Sequence, residues 1–326
     1  MIMVNVETIL QRTTLPVIVA PMFLVSSTEL VIEACKAGTI GTFPLLNART
    51  TEDLEQWMKV IVEELKKARI EQPDRKIAPW GINLIVHKSN KRLDADIELL
   101  KEYKPPIVIT SLGNPEPIVK IVHAYGGLVF SDVVSIKHAK KAAQVEVDGL
   151  ILVCNGAGGH GGTLNPIAFM AEVKEFWSGI TILSGCIANG QDILAAQALG
   201  ADFAYIGTRF IATQESLAID EYKQMLVDSD ASDIIYTDAV TGINGNYLIP
   251  SIQNAGLDLT KLEGLKEYDT DRNKKGAKAW KNIWGAGQGV GSVKDIQPVA
   301  KVVEEMKTEY ELALQSLLAK KIKTYQ

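Results

Sequence analysis

Short apolar runs alternate with amphipathic stretches along the first two-thirds of the chain. Pro16–Met22 (PVIVAPM) is rich in β-branched residues and reads as a buried strand; a helix over Thr28–Ala37 follows, stopped by Gly38. Thr39–Leu46 gives a second strand. The clearest helix comes next, because Leu54, Trp57, Met58, Ile61, Val62 and Leu65 recur at helical spacing and share one face. Thr50 and Asp53 have the spacing of a capping box at its start. Trp80–Val86, Ile107–Thr110, Gly127–Val134, Gly149–Cys154, Ile180–Ser184 and Ala201–Ile206 complete eight predicted strands. Helices predicted over Leu93–Tyr103, Glu116–Ala124, Ile136–Ala143, Asn165–Trp177 and Asn189–Leu199 separate them. Ile167, Met170, Val173 and Phe176 are the predicted buried face of the fourth of these, and Asn189 and Gly200 the caps of the fifth.

The strands are too apolar to face water, as in parallel sheets covered on both faces. Eight such β/α units over about 200 residues predict a closed (β/α)8 TIM barrel, with a doubly wound open sheet as the alternative. Past Thr213 the pattern loosens. Asp228–Ala231 and Glu267–Ala277 read as polar loops. Val299, Val302, Val303, Met306, Tyr310, Leu314 and Leu317 mark a final helix expected to return to the barrel. The expected division is a barrel over residues 1–213, an extension over 214–292 covering the active face, and a C-terminal helix within 293–326.

The chain has 326 residues, 47% hydrophobic and 22% charged, with a formal net charge of −5. That is enough to bury a large core, and the mild acidity argues against a nucleic-acid partner. Lys66 and Lys67 sit beside acids, and the run Lys274–Lys278 is short; both read as solvated surface. Cys35, Cys154 and Cys186 are odd in number and lack metal-ligand spacing, which predicts free thiols and no metal site. The first twenty residues carry no basic n-region, and no apolar run approaches the ~18 residues of a membrane span. These features predict a cytoplasmic protein with no membrane partner.

In a barrel, functional groups collect at the C-terminal ends of the strands. The run Asn155–Thr163 (NGAGGHGGT) follows the sixth strand. Such a glycine density gives up packing and entropy, and is useful where backbone must approach a ligand. It places His160, a group suited to proton transfer near neutrality, at the mouth. Ser184-Gly185-Cys186 and Gly207-Thr208 follow the seventh and eighth strands, where barrels bind phosphate through free N–H groups. Simple chain reversal is the plainer account of each glycine turn. Ala20-Pro21-Met22 after the first strand offers a platform for a flat ring, against an ordinary core role. Asn83 lies among apolar residues and needs polar partners; Asp132, near the end of the fifth strand, is either a site carboxylate or a surface turn residue. His87 is placed to face the mouth, whereas His123 and His138 lie in predicted helices. Cys35, Cys154 and Cys186 read as small buried residues. Tyr236, Tyr247, Trp280 and Trp284 line a substrate pocket or simply pack.

Taken together, these motifs resemble the nitronate monooxygenase family, once called 2-nitropropane dioxygenases. The resemblance runs through Ala20-Pro-Met22, Ile82-Asn-Leu-Ile-Val-His87, the Gly-Gly-His block at 158–160 and Ser184-Gly-Cys-Ile-Ala-Asn-Gly190. It continues in Ala198-Leu-Gly-Ala-Asp202, Ile206-Gly-Thr-Arg-Phe210, Thr241-Gly-Ile-Asn-Gly245 and Ala286-Gly-Gln-Gly-Val-Gly291. It implies an FMN-dependent barrel enzyme that oxidises alkyl nitronates, and nitroalkanes after proton removal, with O2, giving a carbonyl compound and nitrite. It further implies that Gly185, Cys186, Gly207 and Thr208 bind the FMN phosphate, that Ala20, Pro21, Met22 and Asn83 border the ring, and that His160 is the catalytic base. Gly158, Gly159, Ser184 and Asp132 are counted with the cofactor set, and Gln288 is expected to help close the site. The family often has Gly-Gly where this chain has Gly185-Cys186; a backbone N–H survives that change.

Three other readings stay open. An FMN-dependent enoyl-acyl carrier protein reductase, or another NAD(P)H-flavin oxidoreductase, shares the barrel and a Gly-Gly-His loop, although no strand–GxGxxG–helix fingerprint is present. A flavin-free phosphate-binding isomerase or lyase explains Gly207-Thr208 but not the His loop. A flavin carrier without turnover is the third. Substrate choice is assigned to the extension, and a homodimer is one possible assembly.

Overall fold

The computed structural model describes residues 6–87, 89–259 and 282–320. Eight parallel strands close into a barrel: β1 (Val17–Val19), β2 (Ile40–Pro44), β3 (Trp80–Ile85), β4 (Ile107–Ser111), β5 (Leu128–Val133), β6 (Gly149–Val153), β8 (Ile180–Ser184) and β9 (Phe203–Ile206). Pairing of Val17–Val19 with 204–206 closes the ring, so the predicted TIM barrel is observed and the open sheet is not. Between β6 and β8 the glycine-rich run contributes a two-residue strand, β7 (Gly159–His160), that leaves the barrel. It joins β10 (Ile234–Thr237) and β11 (Gly245–Leu248) in a separate three-stranded sheet of order β10-β11-β7. The sequence pattern shows that run only as a loop.

Side chains alternate across a strand, so each barrel strand has an inner and an outer series. Ile18, Ile40, Ile107, Ile109, Phe130, Ile151, Ile182 and Phe203 fill the interior. Ile9, on α1 (Val6–Gln11), packs against this cluster. The outer series, including Val19, Val108, Val129, Leu150 and Leu183, packs under the surrounding helices. These are α2 (Thr28–Lys36), α3 (Thr51–Glu71), α4 (Leu93–Tyr103), α5 (Glu116–Ala124), α6 (Ile136–Ala143), α7 (Pro166–Lys174) and α8 (Gly190–Ala198). On α3 the predicted box is formed, with Thr50 Oγ1 accepting from the Asp53 N–H and Asp53 accepting from the Thr50 N–H. Leu54, Met58, Ile61 and Leu65 are its buried face. The Asn189 cap on α8 is likewise formed.

Two predicted faces need correction. Helix α7 begins at Pro166 and ends at Lys174, and buries Phe169, Met170 and Val173. Ile167 is 62% exposed on its outer side, and Phe176 lies beyond the helix end.

After β9 come the short helix α9 (Thr208–Ile211), then α10 (Asp220–Asp228), β10, β11 and α11 (Ile249–Asn254). The polar stretch Glu267–Ala277, the run Lys274–Lys278 and Trp280 lie outside the described residues. The last helix, α12 (Val299–Ala319), returns to the barrel and buries Val299, Val302, Val303 and Met306. Its predicted stripe fails farther on, where Leu317 is 52% exposed. The reason is length: α12 has 21 residues and its partner α8 has 9. No helix among the described residues is long and apolar enough to cross a membrane.

The α8–α12 contact is backbone-close. The Gly190 N–H donates to Glu309 Oε2 at 2.8 Å, and a methyl group on Gly190 would overlap the backbone of Met306 and Tyr310. Gly190→Ala is therefore expected to destabilise the fold by about 1–3 kcal/mol, the cost of overpacking. An unchanged thermal midpoint would show that α12 is not seated there.

Candidate functional site

The inner series of the barrel ends in polar residues at its C-terminal rim. Asn83 on β3, Ser111 on β4 and Asp132 on β5 all fall on inward-facing positions, and they form one chain. Asn83 Nδ2 donates to Ser111 Oγ at 2.6 Å and to the Ile109 carbonyl at 3.3 Å. Ser111 Oγ in turn donates to Asp132 Oδ2 at 2.5 Å. Asp132 Oδ1 is buried without a partner among the described residues. Burial pushes this carboxyl up to about 6, against the Ser111 hydrogen bond, which pulls it down. Tyr205 on β9 also belongs to the inner cluster; burial and then the nearby Asp132 raise its phenol well above the usual value.

Across the rim lie the turns after β8 and β9. Ser184 ends β8 on an inward position, and Gly185 (φ 122°) and Cys186 (φ 59°) follow in left-handed backbone. Gly207 precedes α9, and Ala20 and Met22 lie beside it, at 3.7 and 3.6 Å from where its Cβ would stand. The segment Ala20–Met22 is fixed from below: Asn47 Nδ2 donates to the Met22 carbonyl at 3.0 Å and Ser26 Oγ accepts from the Met22 N–H at 2.9 Å. Among the described residues, no carbonyl accepts from the N–H of Gly185, Cys186 or Thr208. Unpaired N–H groups at a turn and a helix start are the kind of donors that can receive an anion. Thr208 Oγ1 accepts from the Gly287 N–H at 2.9 Å, which leaves its own proton for donation.

The His160 loop is gripped between these two halves. Gly159 and His160 pair antiparallel with Asn246 and Gly245. Asn246 Nδ2 donates to the Ala157 carbonyl at 2.7 Å, Tyr236 Oη to the Gly161 carbonyl at 3.0 Å, and the Gln288 N–H to the Gly156 carbonyl at 2.9 Å. Gly158 must lack a side chain, since a Cβ there would come within 2.8 Å of the Gly287 nitrogen. His160 Nε2 lies 2.8 Å from Thr241 Oγ1. Burial lowers this imidazole to about 4, so it is neutral at pH 7.

A family model described as nitronate monooxygenase matches residues 6–309. The chain belongs to the nitronate monooxygenase family. It is similar to the nitronate monooxygenase of Neurospora crassa, at 25% identity over 90% of this chain and 89% of that one. The nitronate monooxygenase of Paraburkholderia phytofirmans is 26% identical over 93% and 94%. A solved nitroalkane oxidase from Streptomyces ansochromogenes superposes with a TM-score of 0.79, covering 96% of this chain and all of its own, at 22% identity. That likeness is one of fold. As a member of this family, the chain is an oxidoreductase.

Placed in this nitronate monooxygenase-type barrel, the predicted site residues gather at one end. In the His160 loop Gly156 faces the Gln288 side chain and Gly158 faces Gly287, and Asn83 and Asp132 are inner-wall residues, so Asp132 is not a surface turn residue. Cys186 is exposed, contrary to the expectation of a small buried residue, because its left-handed turn swings it outward beside Gly156. Cys35 and Cys154 are buried as expected. His123 pairs with Asp148 at 2.8 Å on the outside, and His87 Nδ1 lies 2.8 Å from Ser89 Oγ. Of the aromatic set, Tyr247 is fully buried and Trp284 stacks on Tyr222 at 4.9 Å, so both are packing residues. Sequence reasoning missed Ser111, which follows the predicted end of its strand, and it gave no role to Thr241 or to Asn246. Thr241 at least lies in a motif that stood out.

Two expectations follow. Cys186→Gly relieves a left-handed residue and is expected to stabilise the protein by about 1 kcal/mol, read as a higher thermal midpoint. The second concerns Asp132. Its folded state binds a proton more tightly than the unfolded chain, so this stabilisation is full below 3.8 and lost as pH rises through about 6. The thermal midpoint of cofactor-free protein should fall over that window, and Asp132→Asn should flatten the fall; identical pH curves would refute the assignment.

Proposed function

We propose that this rim binds FMN and that the protein uses it to oxidise alkyl nitronates, and nitroalkanes after deprotonation, with O2 as the terminal oxidant. The products are a carbonyl compound and nitrite. The fit to FMN is supported by two features of the rim: the cradle of unpaired N–H groups, and the orphaned Asp132 oxygen on the opposite wall. The N–H groups of Gly185, Cys186 and Thr208 would hold the phosphate, with the Thr208 hydroxyl as a further donor. Ala20, Pro21, Met22 and the Asn83–Ser111–Asp132 chain would border the ring. Since Oδ2 already accepts from Ser111, a proton carried by Asp132 resides on Oδ1, where it can be donated to a ligand. Bound FMN supplies reversible electron acceptance, which no side chain offers.

The single observation that carries the reading is a half-buried imidazole fixed by strand pairing in a loop that packs, through Gly287, against Thr208 and its unpaired N–H. Neutral His160 can accept the α-proton of a nitroalkane at pH 7. Burial makes it a weak base, but the transfer creates an imidazolium facing a nitronate anion. That attraction is strong where water is excluded, and it offsets the weak basicity.

His160→Asn is expected to retain a yellow cofactor and lose turnover of neutral nitroalkanes by about 10²-fold or more, while oxidation of preformed nitronate persists. Purified protein without flavin absorbance would point to the flavin-free barrel instead. NADH consumption with a crotonyl thioester, and no O2 uptake with nitronate, would point to the enoyl reductase.

A further inference from the structure

Electrons that reach a bound cofactor bring negative charge into the barrel mouth, where water is partly excluded and charge is felt strongly. The wall can answer only with a group that changes its own charge. Asp132 is placed to do so. It lies on an inward position near the end of β5, at the same rim as Asn83 and Ser111. Its Oδ2 is tied to Ser111 Oγ at 2.5 Å, and its Oδ1 is buried without a partner among the described residues. A bare buried oxygen is costly when charged, and a proton on Oδ1 removes that charge. Burial lifts this carboxyl to about 6, while the Ser111 hydrogen bond opposes the lift.

The neighbouring elements offer no substitute. Strand β4 brings Ser111, β3 brings Asn83 and β6 sets Ile151 beside Asp132. From β9 comes Tyr205, whose phenol stays protonated because burial, and then Asp132 itself, raise it well above the usual value. On β7, burial keeps His160 neutral near pH 7. No charged side chain among the described residues acts on Asp132.

We infer that Asp132 is the group that takes up a proton when the site takes up electrons, so that negative charge does not accumulate at the rim. The inference rests on the FMN reading. The electrons come from the nitronate and the proton from solvent. One proton bound at Asp132 offsets one electron delivered, and it is released when that electron passes on to O2. The Asn83–Ser111–Asp132 chain thereby gains a role beyond bordering the ring, with Ser111 setting how readily the carboxyl gives up its proton.

The test is the midpoint potential of the FMN-loaded protein, titrated from about pH 5 to about pH 9. At the acid end Asp132 is already protonated, so wild type and Asp132→Asn should agree. Above about 6 the carboxylate opposes electron uptake, and the wild-type potential should fall below that of the variant. The gap should reach at least about tenfold in the uptake equilibrium, the equivalent of one unit of linkage. Ser111→Ala removes the donor that holds the charged form and should move the onset to higher pH. Infrared difference spectra of the wild type at about pH 8 should gain the C=O band of a protonated carboxylic acid on reduction, and Asp132→Asn should lack it. A merely structural Asp132 would shift the potential equally at every pH and give no such band. Parallel pH curves with FMN bound, or no band in the wild type, overturn the inference and leave the FMN reading standing. Protein that takes up no FMN overturns both. If Asp132→Asn does not fold, the wild-type band and the Ser111→Ala shift still decide.

Discussion

Glycine-rich backbone is costly to order, and the site exists only because another part of the chain orders it. The antiparallel pairing of Gly159–His160 with Gly245–Asn246 is that constraint. It turns a run with almost no side chains into a strand and fixes the one imidazole in it. The Asn246 amide and the Gln288 N–H then satisfy the carbonyls of Ala157 and Gly156, which would otherwise need water. The close approach of Gly287 to Gly156 and Gly158 brings the loop against Thr208, so the base and the anion cradle share one support.

Desolvation at the barrel mouth acts on the two titratable groups of the wall in opposite directions. Burial disfavours charge on either, so His160 is pushed down and Asp132 up. Near neutrality the imidazole is a proton acceptor, and the carboxyl stands close to its own midpoint. Neither effect needs a charged neighbour. The described wall is therefore a hydrogen-bonding surface, partly withdrawn from water, on which a ligand's own charge is felt strongly.

Much of the framework was legible. Apolar runs of four to eight residues separated by helical stripes can be satisfied only by strands covered on both faces, and eight of them close a ring. The inward position of Asn83 follows from period-two alternation once the strand is placed. Other features were hidden for identifiable reasons. Ser111 was cut off because its strand was ended one residue early, and with it went the link between Asn83 and Asp132. The face of α7 was misplaced because helical spacing fits both Ile167 and Met170, and only the seat on the barrel chooses between them. The outer half of α12 carries leucines at core spacing, but α8 is too short to cover them.

The sequence by itself determined the barrel, the glycine run with its single histidine and the two turns suited to an anion, because these follow from local periodicity and from what glycine permits. Tertiary structure alone decided which residues face each other across 81 positions from His160 to Thr241. It also decided that Cys186 is exposed and that one oxygen of Asp132 stays buried without a partner among the described residues. Hydrogen-bond direction and desolvation depend on neighbours distant in the chain, and no local pattern encodes who those neighbours are.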